Sequence, residues 1–138
     1  MKFIKSFLFN ISLFLVLDIV WFKFIAGHYF KDILSPIARM KDGEFDINIG
    51  SAFVVYILMS LALDIFVLQK KIGTFGKVIQ SAFLGFVIYG VFDFTNHALL
   101  NNYPQEMLVV DVLWGTFLFA IVAYVRCRMA PKRLFLDY

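Results

Sequence analysis

Four aspartates sit in stretches otherwise apolar enough to enter a bilayer, and three of them, Asp18, Asp93 and Asp111, share the outer half. A carboxyl at membrane depth is costly, so it normally faces protein or a wet cavity. Asp93 has the richest surroundings, within residues 85–96, which also hold a Tyr, a Thr and an Asn. At about 100° per residue, Gly85, Tyr89, Phe92, Asp93 and Asn96 fall within an arc of roughly 100° on one helix face. Gly85 lets another helix approach closely, and Tyr89 and Asn96 are hydrogen-bonding neighbours for the Asp93 carboxyl. Asp18-Ile19-Val20-Trp21 and Asp111-Val112-Leu113-Trp114 repeat one spacing, i,i+3, which puts an acid and an indole on neighbouring parts of a helix face. An indole N–H can donate to a carboxylate. The competing reading makes Trp21 and Trp114 members of an interfacial aromatic belt.

The chemistry open to such a set is limited by charge. Lys23 is the only Lys or Arg near that depth, and its stem can snorkel outward. Three carboxylates in low dielectric with one possible cation cannot all be ionised comfortably. They either share protons with coupled titrations or hold a cation. The plainer alternative is that protonated aspartates hydrogen-bond helix to helix.

These residues need helices to carry them. Four apolar segments, near 6–26, 51–69, 78–99 and 107–126, each approach the roughly 20 residues a span requires. No strand-like alternation competes with them. The chain of 138 residues is 62% hydrophobic with 18 Phe, and its mean hydropathy is +0.82. Soluble domains run at about 45–50% apolar. The reading is one all-α domain over residues 1–138, a polytopic integral membrane protein with four transmembrane helices in a bundle. The first apolar run continues past a signal-peptide length, and Phe24-Ile25-Ala26-Gly27 has no A-x-A-like cleavage site, so it reads as an uncleaved span.

Between the first two spans, residues 27–50 form a polar loop. Its 29–40 part (Phe30, Ile33, Leu34, Ile37, Met40) fits an interfacial amphipathic helix. Asp42-Gly43-Glu44-Phe45-Asp46 reads as an exposed turn, because EF-hand spacing is missing. Lys70-Lys71-Ile72-Gly73-Thr74 is a tight connection with Thr74 as helix N-cap. Asn101-Asn102-Tyr103-Pro104 is another turn, Pro104 suiting a first helical turn.

Charge sets the orientation and removes some functions. Lys2, Lys5, Lys70, Lys71, Lys77, Arg126, Arg128, Lys132 and Arg133 fall on one side; Lys23, Lys31, Arg39 and Lys41 fall on the other. The positive-inside rule then makes both termini cytoplasmic. The net charge of +3 sits at ends and loops and is no nucleic-acid signal. One Cys, Cys127, excludes an internal disulfide and a multi-Cys metal site, and two His, His28 and His97, exclude a His-rich centre. No cofactor or metal is expected. His97 reads as an interfacial hydrogen-bonder. Asp64 reads as structural, reaching to Lys70 or Lys71 or pairing with Ser60.

Depth follows from a rise of 1.5 Å per residue. From the cytoplasmic edge of a roughly 30 Å core, Asp18 lies at about 16–18 Å, Asp93 at about 22 Å and Asp111 at about 24 Å. Trp21 and Trp114 lie near 20 Å, whereas Asp64 lies near 10 Å. The three acids are therefore expected to converge on one site in the outer half, open toward the outer face, with Trp21, Tyr89, Asn96 and Trp114 around them.

Asp18-x-x-Trp21, Gly85-x-x-x-Tyr89, Asp93-Phe94-Thr95-Asn96 and Asp111-x-x-Trp114-Gly115 together resemble a bacterial family of predicted membrane proteins, domain of unknown function 2177. The resemblance covers nearly the whole chain. It implies a four-span inner-membrane protein with a Y-D-L-T-N-like segment in the third helix and D-x-W-G-like residues in the fourth. This chain departs from that pattern at Phe92, Phe94 and Val112-Leu113, and Asp64 and His97 match no pattern position. The resemblance implies no reaction, substrate or cofactor.

Three function classes survive. A small transporter or binding protein for a cation, a proton-coupled solute or a lipid-like ligand needs carboxylates at depth. A structural or accessory subunit needs only packed helices. A lipid-modifying membrane enzyme would use Asp93 and Asp111 as acid and base, but nucleophile constellations and phosphate-binding Gly-rich loops are missing. The lipid bilayer is the expected partner, and a homodimer is expected if 138 residues are to alternate access.

Overall fold

Backbone polar groups in hydrocarbon must be satisfied within the segment, and the chain does this with helices. The computed structural model describes residues 2–129, with side chains from residue 4 onward. Lys132 and Arg133 of the basic set, and the side chain of Lys2, lie outside the described residues. Helix α1 (Lys2–Trp21) passes through a π-helical turn (Phe22–Ala26) into α2 (Gly27–Leu34) without interruption. Strands β1 (Met40–Lys41) and β2 (Glu44–Phe45) follow. Then come α3 (Ile49–Leu63) with a second π-helical turn (Asp64–Leu68), α4 (Thr74–Leu99) and α5 (Met107–Met129). Four helices, Ile4–Leu34, Ile49–Leu68, Thr74–Leu99 and Met107–Met129, are long and apolar enough to cross a membrane. Phe53, Phe66, Phe75, Phe83, Phe86 and Phe117 all face outward, as lipid-facing residues do.

The first segment differs most from expectation. The helix does not stop near residue 26, and its continuation ends at Leu34 rather than Met40. Pro36 explains the stop: Ser35 is still helical (φ −50°, ψ −32°), but proline has no N–H to bond the carbonyl four residues back. Phe30 is buried, Ile33 and Leu34 are half-buried and Ile37 is exposed. Met40 enters a small hairpin instead, where Asp42 (φ 52°) and Gly43 (φ 78°) supply the two left-handed turn positions. Asp-Gly is a favoured pair for that turn. Lys31 Nζ pairs with Glu44 at 2.5 Å, tying α2 to the hairpin. At the next connection Gly73, not Thr74, is the N-cap of α4. Asn48 caps α3, its side chain accepting from Ser51 N at 2.9 Å.

Two patterns decide how the helices meet. In α3 the buried positions come in pairs, Met59/Ser60, Leu63/Asp64 and Val67/Leu68. A repeat of four drifts by about 40° per turn on a 3.6-residue helix. The wide turn, closed by Gln69 N to Asp64 O at 3.2 Å, absorbs that drift and keeps all three pairs inside. In α4 and α5 the decisive residues are glycines. A Cβ at Gly85 would strike the Gly115 carbonyl, and one at Gly115 would strike the Tyr89 ring. The two helices therefore pack backbone to backbone. Helix α1 lies between α3 and α5. A fully buried layer of Phe14, Leu63, Leu118, Phe119 and Val122 fills the middle, with Phe14 and Phe119 ring centroids 4.9 Å apart.

Candidate functional site

On α1 the buried positions Asn10, Phe14 and Asp18 recur every four residues, so one face presents a polar group, an aromatic and an acid at successive levels. On α4, Lys77, Ser81, Gly85, Tyr89 and Asp93 form the matching ladder. Asp18, Asp93 and Asp111 thus arrive at one level on three helices, toward the end that carries the β-hairpin (hereafter the hairpin side; the opposite end, with Lys5, Lys70, Lys71 and Arg128, is the basic side).

Asp18 is buried and has both carboxylate oxygens engaged. Trp114 Nε1 donates to Oδ1 at 2.8 Å, and the Tyr56 hydroxyl donates to Oδ2 at 3.0 Å. Trp114 in turn stacks on Trp21, with centroids 4.3 Å apart and planes within 6°. The indole of Trp114 therefore serves the acid of another helix, not Asp111 on its own. The Trp21 Nε1 is buried without a hydrogen-bond partner among the described residues.

Asp93 is completely buried and accepts from the Tyr103 hydroxyl at 2.5 Å. Asp111 lies beside it on α5, within reach of a carboxyl–carboxyl hydrogen bond. Two carboxylates are acceptors only, so that bond exists when one proton lies between them. Asp18 lies close enough to Asp111 to add its charge to the same region. Tyr89 stands among all three acids, its ring against Gly115. Asn96 adjoins the Tyr103 hydroxyl instead of bonding Asp93 directly. Burial, then the hydrogen bond and charge of Asp93, hold the Tyr103 phenol above its ordinary range, so it remains a donor.

Among the described residues, the side chains that donate to Asp18 and Asp93 are neutral: Tyr56, Trp114 and Tyr103. Among the described residues no Lys or Arg forms an ion pair with any of the three acids. Lys23 turns outward over the Phe24 ring at 5.6 Å. Also among the described residues, no three His, Cys, Asp or Glu are spaced to hold a metal ion. The carboxyls form a pair and a neighbour, not a chelating triad.

The site is closed, which reverses the expectation of an outward opening. Ala26, Phe30, Tyr103 and Met107 form a buried apolar cap over it, with Trp21, Ile33, Leu34 and Val110 packed on them. The cap exists because α1 continues into α2 and folds Phe30 against the α4–α5 turn. Phe92 faces outward at 58% exposure, leaving the expected arc on α4, and His97 is exposed. Asp64 is well removed, on the basic side. It adjoins Asn10 and feels Arg126, while Lys70 donates to Gln80 at 2.9 Å.

Two site residues escaped the sequence reading. Tyr103 looked like part of a turn, although it lies only ten residues past Asp93 across a hairpin. Tyr56 could have been found by depth. Five residues into the second segment, it lies about 8 Å from the hairpin-side edge, level with Asp93.

No curated protein and no solved structure matches the chain. A family model does, along residues 3–127, and its description is "Predicted membrane protein". With four membrane-length helices, a buried acid on each of them and a match over nearly its whole length, the chain belongs to the DUF2177 family of predicted membrane proteins.

Proposed function

We propose that the protein is a small transporter or binding protein whose exchangeable ligand is a proton, coupled to a cation or small solute, at the Asp93–Asp111 pair. The observation that carries this reading is the pair itself: two buried carboxyls side by side with only neutral donors around them. Like charges so placed favour a shared proton. The missing chelating triad favours a proton over a multiply coordinated metal ion. Asp18, held by Trp114 and Tyr56, is the fixed charge beside the pair, and Trp21 offers the site a spare donor. Exchange with the hairpin side needs the Phe30–Tyr103–Met107 cap to move. A lipid-like ligand or a lipid-modification reaction would need a headgroup to pass the same cap, which makes those readings weaker.

We place the basic side in the cytoplasm of a bacterial inner membrane, by the positive-inside rule, and a second copy beside the first for alternating access. A structural or accessory role is the second reading. The full hydrogen bonding of Asp18 favours it, because a satisfied cross-helix acid can serve packing alone.

Proton flux into vesicles reports on the choice. Purified protein is reconstituted with an internal pH-sensitive dye, and a potassium diffusion potential is applied with and without an added pH gradient. The proposal expects flux above protein-free vesicles, abolished in Asp93→Asn and Asp111→Asn, which keep the shape of the site. Flux equal to protein-free vesicles, or unchanged in both variants, contradicts it and leaves the packing role.

A further inference from the structure

The basic side carries a second buried polar cluster that the proton reading does not use. Asn10, Ser60 and Ser81 are completely buried, and Asp64, Lys77 and Arg126 nearly so. They come from four helices. Arg126 Nη2 donates to Ser6 Oγ, and its guanidinium lies 5.8 Å from the Phe9 ring. Asp64 adjoins Asn10 and lies in the field of Arg126. Lys77 Nζ donates to Leu68 O at 2.6 Å and is itself near Arg126. Ser60 precedes Asp64 by one turn and Ser81 follows Lys77 by one turn, so each shares a face with its charged neighbour.

Among the described residues, six atoms of this cluster make no well-formed hydrogen bond: Asn10 Nδ2 and Oδ1, Ser60 Oγ, Asp64 Oδ2, Ser81 Oγ and Arg126 Nε, with Asn10 only approaching Asp64. Such groups are rarely left unsatisfied, since each costs about 1–3 kcal/mol when dry. Their types decide what fits. A cation would use the four oxygens but meets Arg126 and Lys77. An anion would use the donors but meets Asp64 and Asn10 Oδ1. Water donates and accepts at once and carries no charge, and buried waters typically make about three hydrogen bonds to groups like these.

We propose that Asn10, Ser60, Asp64, Ser81 and Arg126 form an intramembrane site that binds ordered water on the basic side. The apolar layer of Phe14, Leu118, Phe119 and Val122 separates it from the Asp93–Asp111 pair. The site stands on its own groups, whether or not the acid pair carries protons. It solvates the Asp64 and Arg126 charges and gives the basic side a wetted chamber that ends at the dry layer.

Water-edited solid-state NMR on the full chain in lipid vesicles tests this. Polarisation from water should reach Asn10, Ser60 and Ser81 early, well before Leu118 and Phe119. Thermal melts in detergent give a second readout whose sign differs between the two cases. If water is bound, Ser60→Ala and Ser81→Ala each remove one of its partners and lower Tm by about 3 °C. If the hydroxyls are dry, the same changes remove an unpaired polar group and raise Tm. Transfer to the three residues as slow as to Phe119, or a raised Tm in both variants, overturns the proposal. So does stabilisation specific to sodium or chloride that Ser60→Ala abolishes, because it assigns the site to an ion.

Discussion

The two polar regions of this protein lie on the same helices and obey different rules. On the hairpin side Asp18, Asp93 and Asp111 share one sign of charge, and Asp18 and Asp93 accept hydrogen bonds from neutral phenols and an indole. On the basic side Asp64 lies in the field of Arg126, with Lys77 near Arg126, yet the Ser60 and Ser81 hydroxyls have no partner among the described residues. One region has unbalanced charge and, among the described residues, two unpartnered buried atoms, Trp21 Nε1 and Asp93 Oδ2. The other has both charge signs and unsatisfied hydrogen bonds. A bilayer penalises both conditions, and they are relieved differently: unbalanced acids by protons or cations, unpaired dipoles by water. The dry layer between them keeps the two remedies apart.

Breaking the charge balance should therefore hurt one region far more than the other. Arg126→Ala strands Asp64 in the interior and should cost about 3 kcal/mol, the low end for removing a buried partner because the two groups are not in direct contact. The matching change on the hairpin side, Asp18→Asn, keeps a hydrogen-bonding group of the same shape and should stay within about 1 kcal/mol. Denaturation in mixed micelles measures both. Equal losses would erase the distinction.

Breaking a hydrogen bond should reverse the ranking. Trp114→Phe removes the donor to Asp18 Oδ1 and the polar edge of the Trp21 stack, for a loss of about 1–2 kcal/mol. Ser81→Ala on the basic side takes away no bond to protein, so its effect is smaller and reports only on water.

The smallest effect is spectroscopic and concerns the cap. The Tyr103 phenol is held above its ordinary range by burial and by Asp93. An acid raised in the folded state lends stability that is complete below its unfolded pKa, about 10 for Tyr, and declines at higher pH until the folded value is passed. Alkaline absorbance titration of Tyr103→Phe against the natural chain should differ only above that ordinary range. A difference centred on the ordinary value would mean that Tyr103 is not buried against Asp93.

Much of the hairpin-side region was legible in the sequence because its cost is local. Each of Asp18, Asp93 and Asp111 stands alone in an apolar run, and rise per residue converts position into depth. The donors were harder to read. Tyr56 and Tyr103 become partners only through helix rotation and a turn, which no spacing within one segment reports. The cap was missed for a related reason: residues 29–40 read as a separate surface helix, whereas the first helix keeps going through a π-helical turn, exposing Phe24 and Ile25 while burying Ala26 and Phe30. The basic-side cluster was least legible. Asn10 and Ser81 are ordinary in a helix, and Asp64 seemed nearer in sequence to Lys70 than to the Arg126 it faces across the bundle.

The central claim is that Asp93 and Asp111 share a proton. Infrared spectroscopy of the reconstituted protein at neutral pH tests it most directly, through the carbonyl stretch of a protonated carboxyl and its shift in deuterated buffer. The account predicts such a band in the natural chain, lost in both Asp93→Asn and Asp111→Asn and retained in Asp18→Asn. A spectrum with only ionised carboxylates, or a band that survives both substitutions, would contradict it.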